Sequence, residues 1–333
     1  MRDIKLLGID LAKMVFQLHG TDRHNKVVLR KRLRRAELLA FMGQLPACRV
    51  VMEACGSAHY WARQFQALGH RVQLIAPQHV KPYVRGNKND RHDARAICAA
   101  AQEPTMIYVA IKSIEQQDIQ ALHRIREAAQ KQRVATGNQI RGLLAEYGVV
   151  FPQGINQVRQ HVVALLGQSE SGLSEFFQAL LADLYEQFCQ LDRRVKAYDH
   201  RIQRWAKQHR LCQELMRQRG VGPLTASAYM ASVGDPRVFK NGRHAAAWLG
   251  LTPKHKGSGD HMRLLSISKR GDRYLRTLLI HGARAVVRYA KNKDDALSQW
   301  INRIHRQRGA NVATVALANK NARVLWAKMA AAV

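Results

Sequence analysis

The chain has 333 residues, 47% of them hydrophobic, and carries 54 Lys and Arg against 24 Asp and Glu, a formal charge of +30. Such an excess calls for a polyanionic partner, most simply nucleic acid, and argues against a small-molecule enzyme or a surface that is basic only for solubility. The basic residues are spread along the whole chain, no apolar run approaches about 18 residues, and Arg2, Asp3 and Lys5 do not suit a signal peptide; a cytoplasmic protein with no membrane role is expected. Five scattered cysteines with no C-x-x-C pair argue against a zinc module or disulfide frame and fit a reducing compartment.

Residues 1–105 read as α/β. Ile4 to Gly20 (IKLLGIDLAKMVFQLHG) is predicted as strand, turn and strand, punctuated by Gly8 and the Leu11–Lys13 turn, with the second strand over Met14 to Leu18. Asp10 stands where the first strand ends its apolar run, and a core-facing charge there needs a partner or a cation. A turn aspartate at a hairpin bend is the plain alternative. Lys26 to Lys31 is a third strand. Arg23 to Arg35 holds seven Lys and Arg and no acid, which places Arg30, Lys31, Arg32, Arg34 and Arg35 on a phosphate-facing edge. A helix over Ala36 to Leu45 leads to a strand at Arg49–Met52 that ends at Glu53. Ser57 can cap a helix over Ala58 to Leu68, Gly69 ends it, and Arg71 to Ile75 is a fifth strand. Three meandering strands followed by helix, strand, helix and strand is the order of an RNase H-like sheet.

In that topology the first and fourth strands are neighbours, which brings Asp10 beside Glu53. Beyond a basic loop containing Lys88, Asp90 and Asp93 stand three apart at a helix start and share one side of it. Four converging carboxylates repel unless divalent cations neutralise them. Two Mg²⁺ ions about 4 Å apart would do so and would stabilise the oxygens of an in-line phosphoryl transfer. Taken alone, Asp90 and Asp93 have stabilisation of the positive end of a helix as their plain alternative, with Arg91 and Arg95 nearby. The G-I-D-L-x-K opening also fits sugar-kinase and actin-like folds, but those need a second glycine-rich phosphate loop and an adenosine site, and neither is present.

Ser113 to about Glu146 reads as one long basic helix. His123, Arg124, Arg126, Lys131, Arg133 and Arg141 make either a solvated face or a track along a nucleic-acid backbone. Gly148 and Pro152 break it. Phe177, Leu181, Leu184, Phe188, Leu191, Val195, Tyr198, Ile202 and Trp205 then step by four and three, a heptad seam capped by Ser171 or Ser174. Pairing with a second subunit or with a return helix of the same chain is expected, against packing inside an ordinary bundle. Leu215 to Gly234 is helix, tight G-V-G-P turn and helix. Backbone N–H groups at Gly220 and Gly222 can hold a phosphate there, as in a helix-hairpin-helix, with a plain helical corner as the alternative. Phe239 to Leu251 is a short helix. Thr252 to Leu275 is irregular, glycine-containing and basic, with Lys254, Lys256, Lys269 and Arg270, and becomes a helix from about Asp272 carrying Arg273 and Arg276. Ser258 sits in it between Gly257 and Gly259, in the pattern of an ordinary loop serine.

The opening GID, the ME after the fourth strand, NKND-x-x-D, GVGP-x-TA, TPK…SG and ISKRGD-x-x-LR together resemble one family almost from end to end. It is the DEDD transposases of bacterial insertion sequences, the family numbered one hundred and ten, related to the Piv-type DNA invertases. The resemblance implies an α/β RNase H-like (RuvC-like) N-terminal domain with its long basic helix over residues 1–150. It implies a coiled-coil segment over 151–208 and a mainly α C-terminal transposase domain over 209–333. By position, Asp10, Glu53, Asp90 and Asp93 match the metal-binding tetrad and Ser258 the nucleophilic serine. The implied partners are an element-encoded noncoding guide (bridge or seek) RNA, donor and target double-stranded DNA, and further copies of the chain in a dimer that assembles to a tetramer, nucleoid-associated when acting. The expected activity is RNA-guided DNA recombination through a phosphoserine intermediate, moving the chain's own insertion sequence. A metal-dependent, junction-resolvase-like nuclease without a covalent intermediate and a non-catalytic nucleic-acid-binding protein are the rivals. Ser266, Ser268 and Tyr274 compete with Ser258, although Ser266 and Ser268 better suit hydrogen bonds at a helix entry and Tyr274 is helical.

Overall fold

A computed structural model describes residues 3–84, 90–167, 172–257 and 263–332, with the backbone alone described at 90–92. The chain forms two compact units, Met1–Glu115 with Val233–Lys240, and Gln116–Ser232 with Asn241–Val333. The long basic helix, grouped with the N-terminal region on sequence, therefore belongs almost wholly to the second unit.

The first unit contains β1 (Leu6–Leu11), β2 (Val15–Thr21), β3 (Val27–Arg34), α1 (Arg35–Gly43), β4 (Arg49–Glu53), α2 (Ala58–Ala67), β5 (Arg71–Ile75), α3 (Pro77–Val80), α4 (Asp90–Ala101) and β6 (Tyr108–Val109). The sheet order is β3-β2-β1-β4-β5-β6. β2 runs antiparallel to both β1 and β3, whereas β1, β4 and β5 are parallel, so β1 and β4 are neighbours as the predicted order required. Alternation along the strands separates two cores. Leu7, Ile9, Val50 and Met52 pack with Leu38 of α1 and Trp61 and Phe65 of α2. Leu6, Val51 and Ile75 pack on the other face with Ala96, Ile97 and Cys98 of α4. β3 runs three residues beyond Lys31, because its ladder with β2 continues to the pairing of Val15 with Arg34. Ser57 precedes α2 in a left-handed conformation (φ 67°) and makes no side-chain cap; the Ala58 N–H donates instead to the Cys55 carbonyl.

The second unit is mainly helical: α5 (Ile114–Ala145), α6 (Ile155–Leu166), α7 (Glu175–Gln208), α8 (Arg210–Met216), α9 (Pro223–Val233), α10 (Gly242–Trp248), a hairpin of β7 (Pro253–Lys256) and β8 (Arg263–Ile267), α11 (Arg273–Ala290), α12 (Ala296–Arg308) and α13 (Ala310–Ala330). Ser174 caps α7 by accepting from the Phe177 N–H, while Ser171 lies outside the described residues. The heptad seam is buried within this chain: Phe177, Leu181 and Phe188 meet Ile140 and Leu144 of α5 and Val158 and Val162 of α6. Ion pairs Arg126–Asp199 and Arg133–Asp192 run in opposite directions along α5 and α7, so the two form an antiparallel helical hairpin, with α5 as the partner strand of the seam. Residues 252–275, expected to be irregular, contain the β7–β8 hairpin. Every residue of β7 and most of β8 is exposed, so no alternation of burial betrays it in the sequence.

Candidate functional site

Gly8 organises the acidic end of the sheet. A Cβ there would lie 2.6 Å from the Ala94 carbonyl oxygen and 2.6 Å from Cys98 Sγ, so only a glycine lets α4 settle this closely on β1. Strand geometry does the rest. Asp10, two residues on, occupies the face of β1 that α4 covers. Gly8 pairs with Val51 in the parallel ladder, which puts Val51 and Glu53 on that same face of β4. Asp10 and Glu53 thus end adjacent strands on one side of the sheet, and Asp93 stands in the first turns of α4, one residue before the Ala94 that presses on Gly8. Asp90 begins α4; its side chain is outside the described residues.

The electrostatics match this placement. Burial, and then the charge of Asp93, raise the Glu53 carboxyl above its ordinary range. Burial, followed by the charges of Glu53 and Asp10, likewise pushes up the Cys55 thiol. Cys55 is a neighbour of the acids that sequence reading misses; its only signal is its place two residues after Glu53. Among the described residues, no three ligating side chains are already drawn into a metal cage. The donor set is nonetheless of the kind hard divalent cations take: half-buried carboxylate oxygens, with the charge of Asp93 acting on Glu53.

The other predicted residues divide. Arg30, Lys31, Arg32 and Arg34 are exposed on β3, an edge strand, and Arg35 follows them, its guanidinium 5.2 Å from the Trp61 ring. Arg124, Lys254, Lys256, Lys269, Arg270 and Arg273 are also exposed. Arg126 and Arg276, expected at a nucleic-acid surface, are turned inward. Arg126 pairs with Asp199, and Arg276, 8% exposed, donates to the Leu249 and Arg270 carbonyls at 3.0 Å each. Gly222 is open, but Gly220 (φ 82°) is pressed against α11, where a Cβ on it would come 2.8 Å from the Gly282 carbonyl. Lys88 and Ser258 lie outside the described residues. Ser258 falls on the connection between β7 and β8. Of its competitors, Ser266 lies in β8, Ser268 accepts from the Arg270 N–H, and the Tyr274 hydroxyl meets His123 Nδ1 at 3.0 Å.

Residues 7–149 match the DEDD transposase family of IS110-type elements, described simply as "Transposase", and residues 212–299 match the "Transposase IS116/IS110/IS902 family". A "Probable family 20 transposase" of Pseudomonas aeruginosa is 50% identical over 98% of this chain and 96% of its own length. The chain belongs to the IS110 family of DEDD transposases. The "Transposase for insertion sequence element IS1111A" of Coxiella burnetii is 46% identical over 98% of this chain and 90% of its own length. The "Transposase for insertion sequence element IS1328" of Yersinia enterocolitica is 36% identical over 98% and 97%. The first matched segment of this transposase spans Asp10, Glu53, Asp90 and Asp93, and the second spans Ser258. No described helix is long and apolar enough to cross a membrane.

Proposed function

We propose that this transposase is an RNA-guided DNA recombinase that excises and inserts its own element. Its acidic site would be the metal centre of an RNase H-like (RuvC-like) domain, and Ser258 its nucleophile. The observation that carries the reading is the placement of Asp10 and Glu53 at the ends of adjacent parallel strands, on the face covered by the helix that bears Asp93. The antiparallel β2 amid parallel β1, β4 and β5 agrees with that domain assignment. Asp10, Glu53, Asp90 and Asp93 would hold Mg²⁺, and the bound ions would offset the charge that develops on the phosphoryl oxygens.

Ser258 Oγ forms a bond to a DNA phosphorus while the bond from that phosphorus to a deoxyribose oxygen breaks. The serine gives up its hydroxyl proton, and the departing sugar oxygen gains one. One phosphate ester replaces another, so a second DNA hydroxyl can reverse the step and join strands without an external energy source. Lys254, Lys256 and Arg263 flank the serine in sequence and suit a phosphate. A chain of +30 suits simultaneous contact with a guide RNA and with donor and target duplexes. In the assembly we propose, dimers pair to a tetramer in which the acids of one subunit meet the serine of another.

The test is a trapped intermediate. Wild-type protein stopped with denaturant during reaction should carry DNA covalently on the segment from Lys254 to Arg263, and Ser258→Ala should bind nucleic acid without forming it. Strand breakage without an adduct would assign a metal-only nuclease, an adduct on Tyr274 a tyrosine mechanism, and binding without breakage in Mg²⁺ a non-catalytic protein. Recombination that survives RNase treatment would overturn the guided part of the reading.

A further inference from the structure

A cavity of 1260 Å³ in the second unit is an open groove between the β7–β8 hairpin and helices α12 and α13. It exceeds the roughly 300–1,000 Å³ of ordinary small-molecule sites. Its floor is apolar and aromatic: Leu264 and Leu265 of β8, Val312 and Trp326 of α13 and Trp300 of α12. Leu264, Leu265 and Val312 are exposed, an unusual condition for three large aliphatic side chains lining one depression. Among the described residues, its charged lining side chains are all cationic, namely Arg243, Arg308, Lys320 and Arg323. The cationic bias continues beyond the groove, since Ala296 to Val333 contains six Lys and Arg and no acid. Ring and cation are presented together, with Lys320 Nζ 4.7 Å from the Trp300 ring centroid.

An apolar floor alone fits many partners, but a rim whose described charges are all cationic, set around tryptophans, narrows the choice. Duplex DNA keeps its base faces stacked and presents phosphates and largely polar base edges, which would leave the floor unmatched. Unpaired nucleotides offer both a phosphate for the rim and a base face for the tryptophans, and stacking of this kind tolerates any sequence. Sequence names the strand: one wall of the groove is the hairpin whose two strands flank Ser258 along the chain. We infer that this groove holds unpaired nucleotides of the DNA strand next to the phosphate attacked. The inference rests on the proposed nucleophile only for the choice of DNA over other single strands. The groove then serves to keep bases unstacked while the strand is open, a role separate from attack itself.

The test measures affinity for a short labelled single-stranded DNA by fluorescence anisotropy on the full chain, with unlabelled duplex DNA in excess. Trp300→Leu should weaken single-strand binding about tenfold, the loss of roughly one base stack, and Lys320→Ala severalfold through the loss of a phosphate contact, with duplex affinity unchanged. Leu264→Ala, at a side chain 67% exposed and so indifferent to folding, should weaken it severalfold with an unaltered melting curve. Ser258→Ala should bind the single strand like wild type, so a failed nucleophile assignment leaves this result standing. Unchanged single-strand affinity in Leu264→Ala and Lys320→Ala would overturn the inference. So would tenfold tighter binding of the same sequence as RNA, or displacement of the DNA by an equal concentration of a Glu/Leu-rich peptide.

Discussion

His123 Nδ1 lies 3.0 Å from the Tyr274 hydroxyl, tying α5 to α11, while its Nε2 lies 2.9 Å from Ser227 Oγ on α9. Ser227 donates its own proton to the Pro223 carbonyl at 2.6 Å, so Nε2 must be the donor to Ser227 and Nδ1 the acceptor from Tyr274. Three helices are thus joined by one neutral, buried imidazole. Burial, and then the charge of Arg126, push its pKa down to about 4 against a weaker pull from Asp272.

The sign of the pH effect follows. The unfolded chain takes up a proton on His123 near pH 6.5 and the folded chain only near pH 4, so stability falls as pH drops through that interval. The full interval is on the order of 3 kcal/mol from this group. His123→Gln should be less stable at pH 7 yet show a flatter decline from pH 6.5 to 4, read by denaturant unfolding at several pH values. A parallel decline in both proteins would remove His123 as the source. The same bond makes Tyr274 a framework residue, and Tyr274→Phe should retain DNA cleavage.

Glu53 behaves in the opposite sense. Burial and Asp93 raise its folded pKa, so its favourable contribution is present below the unfolded value and is lost as pH rises through the folded one. In metal-free protein at neutral pH, Glu53→Gln is therefore expected to melt at or above wild type. Mg²⁺ binding only to the folded state should raise the wild-type melting temperature and leave that of Glu53→Gln nearly unmoved. Cleavage should be lost in the variant while RNA binding persists. A variant that melts well below wild type without metal would mark Glu53 as a structural acid.

The acids were legible in the sequence because β1, β4 and α4 each announce themselves locally, by apolar runs, glycine punctuation and an Asp-rich helix start. The strand order legible in the sequence makes the strands of Asp10 and Glu53 neighbours, as the parallel β1–β4 ladder bears out. The heptad seam was legible as a seam, but an a/d stripe reads the same whether its partner is another subunit or α5 of the same chain. Arg276 shows a different limit. An arginine in a basic segment reads as surface, and only three-dimensional structure shows the Leu249 and Arg270 carbonyls that hold it inside. Gly220 is similar: its φ of 82° suits the predicted turn, but the close approach to Gly282 comes from an element some sixty residues away. The β7–β8 hairpin left no trace because its exposed strands bury no alternate face.

Asp192 of α7, 4% exposed, meets Arg133 of α5, Arg159 of α6 and Lys196 one turn on. Burial works against its charge, but Lys196, Arg133 and Arg159 outweigh that and hold the carboxyl below its usual range. Its contribution is present above the unfolded pKa and is lost as pH falls through the folded one. Asp192→Asn leaves the partly buried Arg133 without its counter-charge and should destabilise the second unit by about 2–3 kcal/mol, below the range of a fully buried pair. Lys196→Ala, removing an exposed partner, should cost under about 1 kcal/mol. Unfolding of both variants in urea checks the contrast, and equal small losses would show that the cluster does not hold the three helices together.

Gly8→Ala tests the link between packing and the acidic site. The new methyl would sit 2.6 Å from both the Ala94 carbonyl oxygen and Cys98 Sγ, and the carbonyl is backbone, so α4 must move off β1. Overpacking of this kind costs about 1–3 kcal/mol. Asp93 rides on that helix next to Ala94, so the same displacement should carry it away from Asp10 and Glu53. The expected outcome is a lower melting temperature and, separately, a smaller rise on adding Mg²⁺ than wild type shows. Gly56→Ala is the control, because a Cβ there meets nothing within 4 Å although it lies three residues from Glu53. It should leave both readings unchanged. A Gly8→Ala protein with a lowered melting temperature but a full Mg²⁺ response would mean that α4 is not what brings the acids together.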